Sequence, residues 1–231
     1  AMMPAAGIMA SRYLVSPPEP PESLAAVPPV HPVNAGGVIA FLIAPEGQPV
    51  TLINSGNDPK AAALLAKLTE LGRKPSDVKA IVLNHGSYDH WAGHSQFPNA
   101  VLYAGAEDLE LVDHARRIES KAPKLHMRVF GRPGKHRRLR TVVPSGLLRF
   151  GSIEIDCIPL PGVTKGSMAY RWQDVLFVGD SLWPVDDRRA PRAPPPTPWL
   201  EKPKHLPTVL KRLDRHPTRW LATSREGLVS R

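Results

Sequence analysis

The sequence predicts an α+β fold, a four-layer αββα sandwich. Strand-like apolar segments outnumber helical ones, they fall in two batches separated by a basic stretch, and the two strand-rich halves are flanked by helical leucine patterns. Two sheets that each have an apolar face to hide do so by packing face to face, with helices covering the outer faces.

Residues 1–35 carry Pro17, Pro18, Pro20, Pro21, Pro28, Pro29 and Pro32, which support neither a helical nor an alternating period. They are expected to form an extended N-terminal arm, with residues 36–231 as a single domain. The apolar run from Gly37 to Ile43 opens the core. A turn at Glu46 and Gly47 joins it to a strand from Val50 to Asn54, which makes a hairpin. Asp58 and Pro59 then start a helix over 61–72, with Leu64, Leu65, Leu68 and Leu71 at helical spacing and Gly72 as its stop. A strand from Val78 to Leu83 follows. Ala100–Tyr103 is predicted as a strand, Glu107–Val112 as a short helix, and 113–145 as irregular. The second batch comprises Leu147–Phe150, Ile153–Pro159, Met168–Trp172 and Val175–Val178, the last running into Gly179 and Asp180. A stiff proline-rich loop over 188–204, a closing helix from Leu206 to Asp214 and a last strand from Arg219 to Ala222 complete the chain.

Composition narrows the function classes. A chain of 231 residues with 42% hydrophobic and 22% charged residues has the make-up of an ordinary globular protein with one sizeable core. The single cysteine, Cys157, has no internal disulfide partner and sits in a strand pattern, as a small buried residue does. No apolar run reaches the roughly 20 residues that span a bilayer. The start lacks the basic-then-apolar pattern of a signal peptide, so a cytoplasmic protein is expected. A net charge of +9 favours anionic partners. Lys124, Arg128, Arg132, Lys135, Arg137, Arg138 and Arg140 crowd one segment. Without interleaved aromatics, that segment reads as a solvated basic loop before it reads as a nucleic-acid surface.

The turn after the third strand holds His85, Asp89, His90 and His94 within ten residues. Neutral imidazole and carboxylate at the end of a strand suit zinc or a similar divalent ion.

With that motif in place, the order of elements resembles the metallo-β-lactamase-fold superfamily from Gly37 onwards. Leu52-Ile-Asn-Ser-Gly56 is similar to the family's early Leu-Ile-Asp-Thr-Gly turn, with Asn54 in place of aspartate. Val178-Gly-Asp180 is similar to its later Gly-Asp turn. The family's His-x-His-x-Asp-His motif corresponds to His85-Gly-Ser-Tyr-Asp89-His90, with Ser87 at the second histidine. Its Pro-Gly-His-Thr turn corresponds to Pro161-Gly-Val-Thr164, where Val163 offers no donor atom. Its last histidine falls near Thr223-Ser-Arg-Glu226, where there is none.

The resemblance implies divalent ions that activate water against an ester, thioester, lactam or phosphodiester. It also implies uneven losses between two metal positions. At the first, one imidazole and a serine hydroxyl will not hold zinc. At the second, Asp89, His90 and Asp180 survive and Glu226 could complete the set, which suits zinc, manganese or iron. His85, with Asp89, is the candidate for proton transfer, and Tyr88, Trp91 and Trp183 for the substrate mouth. At most, then, the chain is expected to be a one-metal hydrolase of a small, anionic ester or thioester. Two alternatives stay open: a metal-free pseudoenzyme serving as a binding or scaffold protein, and nucleic-acid binding through segment 124–140.

Overall fold

In the computed structural model, which describes residues 26–112, 138–142, 146–182 and 203–230, two sheets of six strands stack face to face. The first sheet contains β1 (Val30–Asn34), β2 (Ile39–Ile43), β3 (Val50–Ile53), β4 (Val78–Val82), β5 (Val101–Gly105) and β6 (Leu139–Val142) in chain order. Its first three strands are antiparallel neighbours and the rest are parallel. The second contains β7 (Leu147–Phe150), β8 (Ile153–Pro159), β9 (Met168–Trp172), β10 (Val175–Gly179), β11 (Trp220–Thr223) and β12 (Gly227–Ser230). Here only β10 and β11 run parallel.

Burial resolves the layers. Between the sheets lie Ile39, Phe41, Ile43, Ile53, Ala80 and Val82 of the first and Ile153, Ile155, Cys157, Tyr170, Phe177 and Ala222 of the second. The alternate residues of the first sheet, Leu42, Leu52 and Ile81 among them, face outwards onto Leu64 and Leu68 of α1 (Ala62–Glu70). On the far side Ala169, Leu176 and Leu221 meet Leu210 and Leu213. Leu210 ends α3 (Leu206–Leu210), and Leu213 lies in the 3₁₀ turn after it. Strand period 2 thus splits each central strand between two apolar neighbours, and β2, β3 and β10 are buried along their whole length. The helix runs from Ala62 to Glu70 within the predicted 61–72, its N-cap is Ala61 in a left-handed turn, and Asp58 braces the start by accepting from the backbone N–H of Lys60 and Ala62.

Three strands depart from expectation. β1 lies within the stretch expected as an arm, so the first sheet begins at Val30 rather than near Gly37. It tolerates Pro32 because it is the edge strand, where a missing N–H can face away from the ladder. β6 lies in the segment expected to be irregular and pairs with β5 from Leu102–Leu139 to Gly105–Val142. β12 follows the strand expected to be last and closes a hairpin with β11. The predicted helix over 107–112 divides into a 3₁₀ turn (Ala106–Asp108) and one α turn, α2 (Leu109–Val112). Residues 1–25, most of the basic segment and most of the proline-rich loop, with Trp183, lie outside the described residues. Among the described residues no helix is long and apolar enough to cross a membrane.

A candidate metal centre at the strand ends

A polar seam fixes where the strand ends meet. Asn54, at the end of β3 in a left-handed turn that asparagine tolerates, accepts from the backbone N–H of Asn84 and donates to its side-chain oxygen, both at 3.0 Å. Asn84, just past β4, donates in turn to the carbonyls of Met168 and Phe177 in the second sheet, at 2.9 and 3.1 Å. The loop after β4 is therefore bonded across the sandwich to β9 and β10. Gly179 allows this closeness: its φ is +59°, and a Cβ there would sit 2.7 Å from that of Asn84.

A second tie lies alongside. Asp108, fully buried, accepts from the N–H of Gly86 at 2.7 Å, the N–H of Gly166 at 3.0 Å and the Thr164 hydroxyl. It joins the histidine loop to the turn that carries Val163. Burial pushes its pKa up, and these donors only partly oppose the shift.

These ties bring His85, His90 and Asp180 to one point. Nε2 of His85 lies 3.7 Å from Asp180 Oδ2, and Nε2 of His90 lies 3.5 Å from the same oxygen. Both rings are buried and their centroids are 3.8 Å apart. Neither Nε2, nor His90 Nδ1, has a hydrogen-bond partner. His85 Nδ1 faces the N–H of Ser87 at 3.4 Å. Among the described residues, this is the group whose donor atoms all lie within 4.8 Å of one another.

The spacing discriminates between ways of using those atoms. Good N–H···O bonds centre near ~2.9 Å, so contacts of 3.5 and 3.7 Å are poor hydrogen bonds. Donor atoms arranged tetrahedrally around an ion at about 2.0–2.1 Å lie roughly 3.3–3.5 Å apart, close to the two nitrogen-to-Asp180 distances, and all three donors lie within 4.8 Å of one another. The orphaned ring nitrogens and the mixed nitrogen and oxygen donors therefore fit a divalent transition metal.

Asp180 has another partner. Arg225, in the turn between β11 and β12, forks onto it through Nη2–Oδ2 at 2.8 Å and Nε–Oδ1 at 3.2 Å. The same Nη2 is 3.6 Å from Asp89 Oδ2, and Nη1 donates to the Gly37 carbonyl at 3.3 Å. The turn is seated by Ser224, whose N–H donates to the Gly179 carbonyl and whose carbonyl accepts from Ile39. Burial would raise the Asp180 pKa, but Arg225 and His90 hold it well below the usual carboxylate range. Burial lowers the His90 pKa, reinforced by His85. Burial also depresses His85, yet Asp180, Asp89 and Asp108 outweigh it and leave the pKa raised.

A model of the family described as "Metallo-beta-lactamase superfamily" matches residues 33–223. The chain belongs to the metallo-β-lactamase superfamily. A protein of Mycobacterium tuberculosis named "Probable metallo-hydrolase" is 29% identical over 143 residues, 54% of this chain and 43% of the relative. One of the same description from Methanocaldococcus jannaschii is 24% identical over 118 residues, 51% of this chain and 44% of the relative. The chain thus matches under half the length of these curated relatives. Among solved structures, a subclass B3 metallo-β-lactamase from a soil metagenome library superposes with a TM-score of 0.65 at 16% identity, covering 85% of this chain and 75% of that one. An archaeal metallo-β-lactamase superfamily protein from Sulfolobus tokodaii gives 0.64 at 20% identity, covering 87% and 81%. At such identities the likeness concerns the fold.

Within this metallo-β-lactamase fold the residues expected at the site divide. His90 and Asp180 meet, and His85, expected to be stranded at a lost position, joins them. Asp89 stands beside the group, 3.9 Å from His90 Nε2, and faces Arg225 Nη2 at 3.6 Å. Glu226 is not a member; its backbone N–H donates to Thr223 Oγ1. Trp91 is a correction. Expected at the mouth, it is 1% exposed, packs in the core under α1 and donates its indole N–H to the Gly86 carbonyl, because the loop folds its largest apolar ring inwards. Tyr88, half-buried, stands edge-on to it. His94 Nδ1 lies 2.8 Å from the Trp91 carbonyl, which makes it part of the loop's own packing.

Sequence reasoning missed Arg225 and Asp108. It looked for metal donors, and a guanidinium is none. The signal available for Arg225 was charge: Asp89 and Asp180, if they meet, need a cation, and the turn at 223–226 holds one.

Proposed function

We propose that this chain is a one-metal hydrolase of an ester, thioester or related bond in a small, anionic substrate. The observation that carries the reading is the pair of buried, unpartnered nitrogens, His85 Nε2 and His90 Nε2, within 3.7 Å of one carboxylate oxygen of Asp180. His85, His90 and Asp180 would hold the ion, and zinc, manganese and iron all suit two imidazoles and a carboxylate. Bound there, a divalent ion supplies Lewis acidity, which acidifies water and polarises an acyl oxygen.

The other roles fall to the chain's own groups. Arg225 keeps Asp180 ionised. Asp89, with 20% of its side chain exposed, is the carboxylate open to accept a proton from the attacking water. Tyr88, half-buried on the same loop, is the remaining candidate for the substrate mouth. The net charge of +9 favours anionic substrates in general. The name of the curated relatives, metallo-hydrolase, supports the reaction class.

Elemental analysis of protein purified without chelator tests the reading, together with turnover of aryl ester and thioester panels. About one equivalent of metal in the parent and none in His90→Ala is expected, with hydrolysis that requires the metal. The second reading, a metal-free binding or scaffold protein, is favoured by one observation: Arg225 already neutralises Asp180. Absence of metal after reconstitution, with no turnover, selects it.

A further inference from the structure

We propose that the Arg225 guanidinium is a built-in cation shared by Asp180 and Asp89, and that it limits the site to a single divalent ion. This rests on the one-metal reading and specifies what sets the stoichiometry.

The geometry carries it. One nitrogen, Nη2, faces both carboxylates, at 2.8 Å from Asp180 and 3.6 Å from Asp89. Nε takes the other Asp180 oxygen, and Nη1 is held by the Gly37 carbonyl, so the planar group is fixed from three directions. His85 and His90 face Oδ2 of Asp180, the same oxygen that Nη2 holds, so an ion at the histidines would gain two imidazole nitrogens and share that oxygen with the guanidinium. The two sides differ in their donors: the histidines offer two buried nitrogens without a hydrogen bond, whereas the side towards Asp89 offers only carboxylates that face the guanidinium.

Two carboxylates that face one guanidinium nitrogen can share a cation. A guanidinium filling it does not leave by losing its proton, because arginine stays protonated at every accessible pH. A second dication would have to sit between Asp180 and Asp89 beside that fixed positive charge, with no further imidazole nitrogen to offset the repulsion. An uncharged side chain at 225 therefore uncovers a second metal site made of Asp89 and Asp180.

The test counts ions. Chelator-stripped parent, Arg225→Met, Arg225→Gln and Arg225→Lys are loaded with excess Zn²⁺ or Mn²⁺, freed of unbound metal and analysed, with circular dichroism confirming folding. The expected result is one equivalent in the parent and in R225K, and two in R225M and R225Q, the second lost on adding Asp89→Asn. Two equivalents in the parent overturn the inference, and this arm needs no variant to fold. One equivalent in a folded R225M or R225Q also overturns it. If the parent takes up no metal but R225M does, the one-metal reading falls while the role of Arg225 stands. No metal in parent or variants removes both.

Discussion

Two polar clusters lie side by side at the strand ends, and they use their hydrogen-bonding capacity in opposite ways. In the seam of Asn54, Asn84 and Asp108, the side chains find protein partners at about 3 Å or less. Beside it, three ring nitrogens of His85 and His90 are buried without a hydrogen bond, two of them 3.5 and 3.7 Å from Asp180. Leaving a buried polar atom without a hydrogen bond costs about 1–3 kcal/mol, which the ion-pair distances to Asp180 offset only in part. The seam is bonded within the protein, and the histidines form the group that could hold a metal ion.

The sharpest way to break that contrast is to truncate one member of each. His90→Ala should abolish metal uptake altogether, yet change the unfolding free energy of the metal-free protein by only about 1 kcal/mol, because it removes unpaired nitrogens along with a buried ring. Asn84→Ala should instead cost roughly 3–5 kcal/mol in urea unfolding, since it strands the Asn54 amide and two carbonyls of the second sheet. Equal stability losses for the two variants would abolish the distinction between seam and site.

A smaller effect sharpens the comparison through pH. The folded-state pKa of Asp108 is raised by burial, so the folded chain holds its proton more tightly than the unfolded chain. Stability from this group is fully present below the unfolded value of about 3.9 and is lost as pH rises through the folded pKa. Asp108→Asn, which cannot titrate, should lack that component. The parent's stability relative to the variant should therefore decline as pH rises from about 3.5 through the folded pKa. A difference that stays flat or grows over that range would contradict the assignment.

The smallest expected effect separates members of the site from bystanders. Glu226→Gln should leave metal content unchanged, since Glu226 stands outside the group of converging donors. Loss of the ion in that variant would return Glu226 to the ligand set.

Much of the fold was legible because it is local. The leucines at 64, 65, 68 and 71, the capping Asp58 and the second-batch strands β7 to β10 follow from period and turn chemistry within a few residues. β1, β6 and β12 were not legible: Pro32, a run of arginines and a short terminal stretch look unfavourable until a neighbouring strand offers its edge. Asn54 illustrates the same limit at the site. Beside the family's aspartate it reads as a loss, but in the structure it is half of a matched amide pair with Asn84, 30 residues away.

By itself, then, the sequence determined the αββα order, the family it resembles, and the loop and the Gly-Asp turn that hold His90 and Asp180. Only the tertiary structure decided the composition of the centre: His85 inside it, Glu226 and Trp91 outside it, Arg225 clasping Asp180 and Asp89. Motif spacing reports which donors sit near one another along the chain. Which of them share a point in space depends on how Asn84 and Asp108 tie one sheet to the other, and which charges must be balanced there is known only once the strands have met.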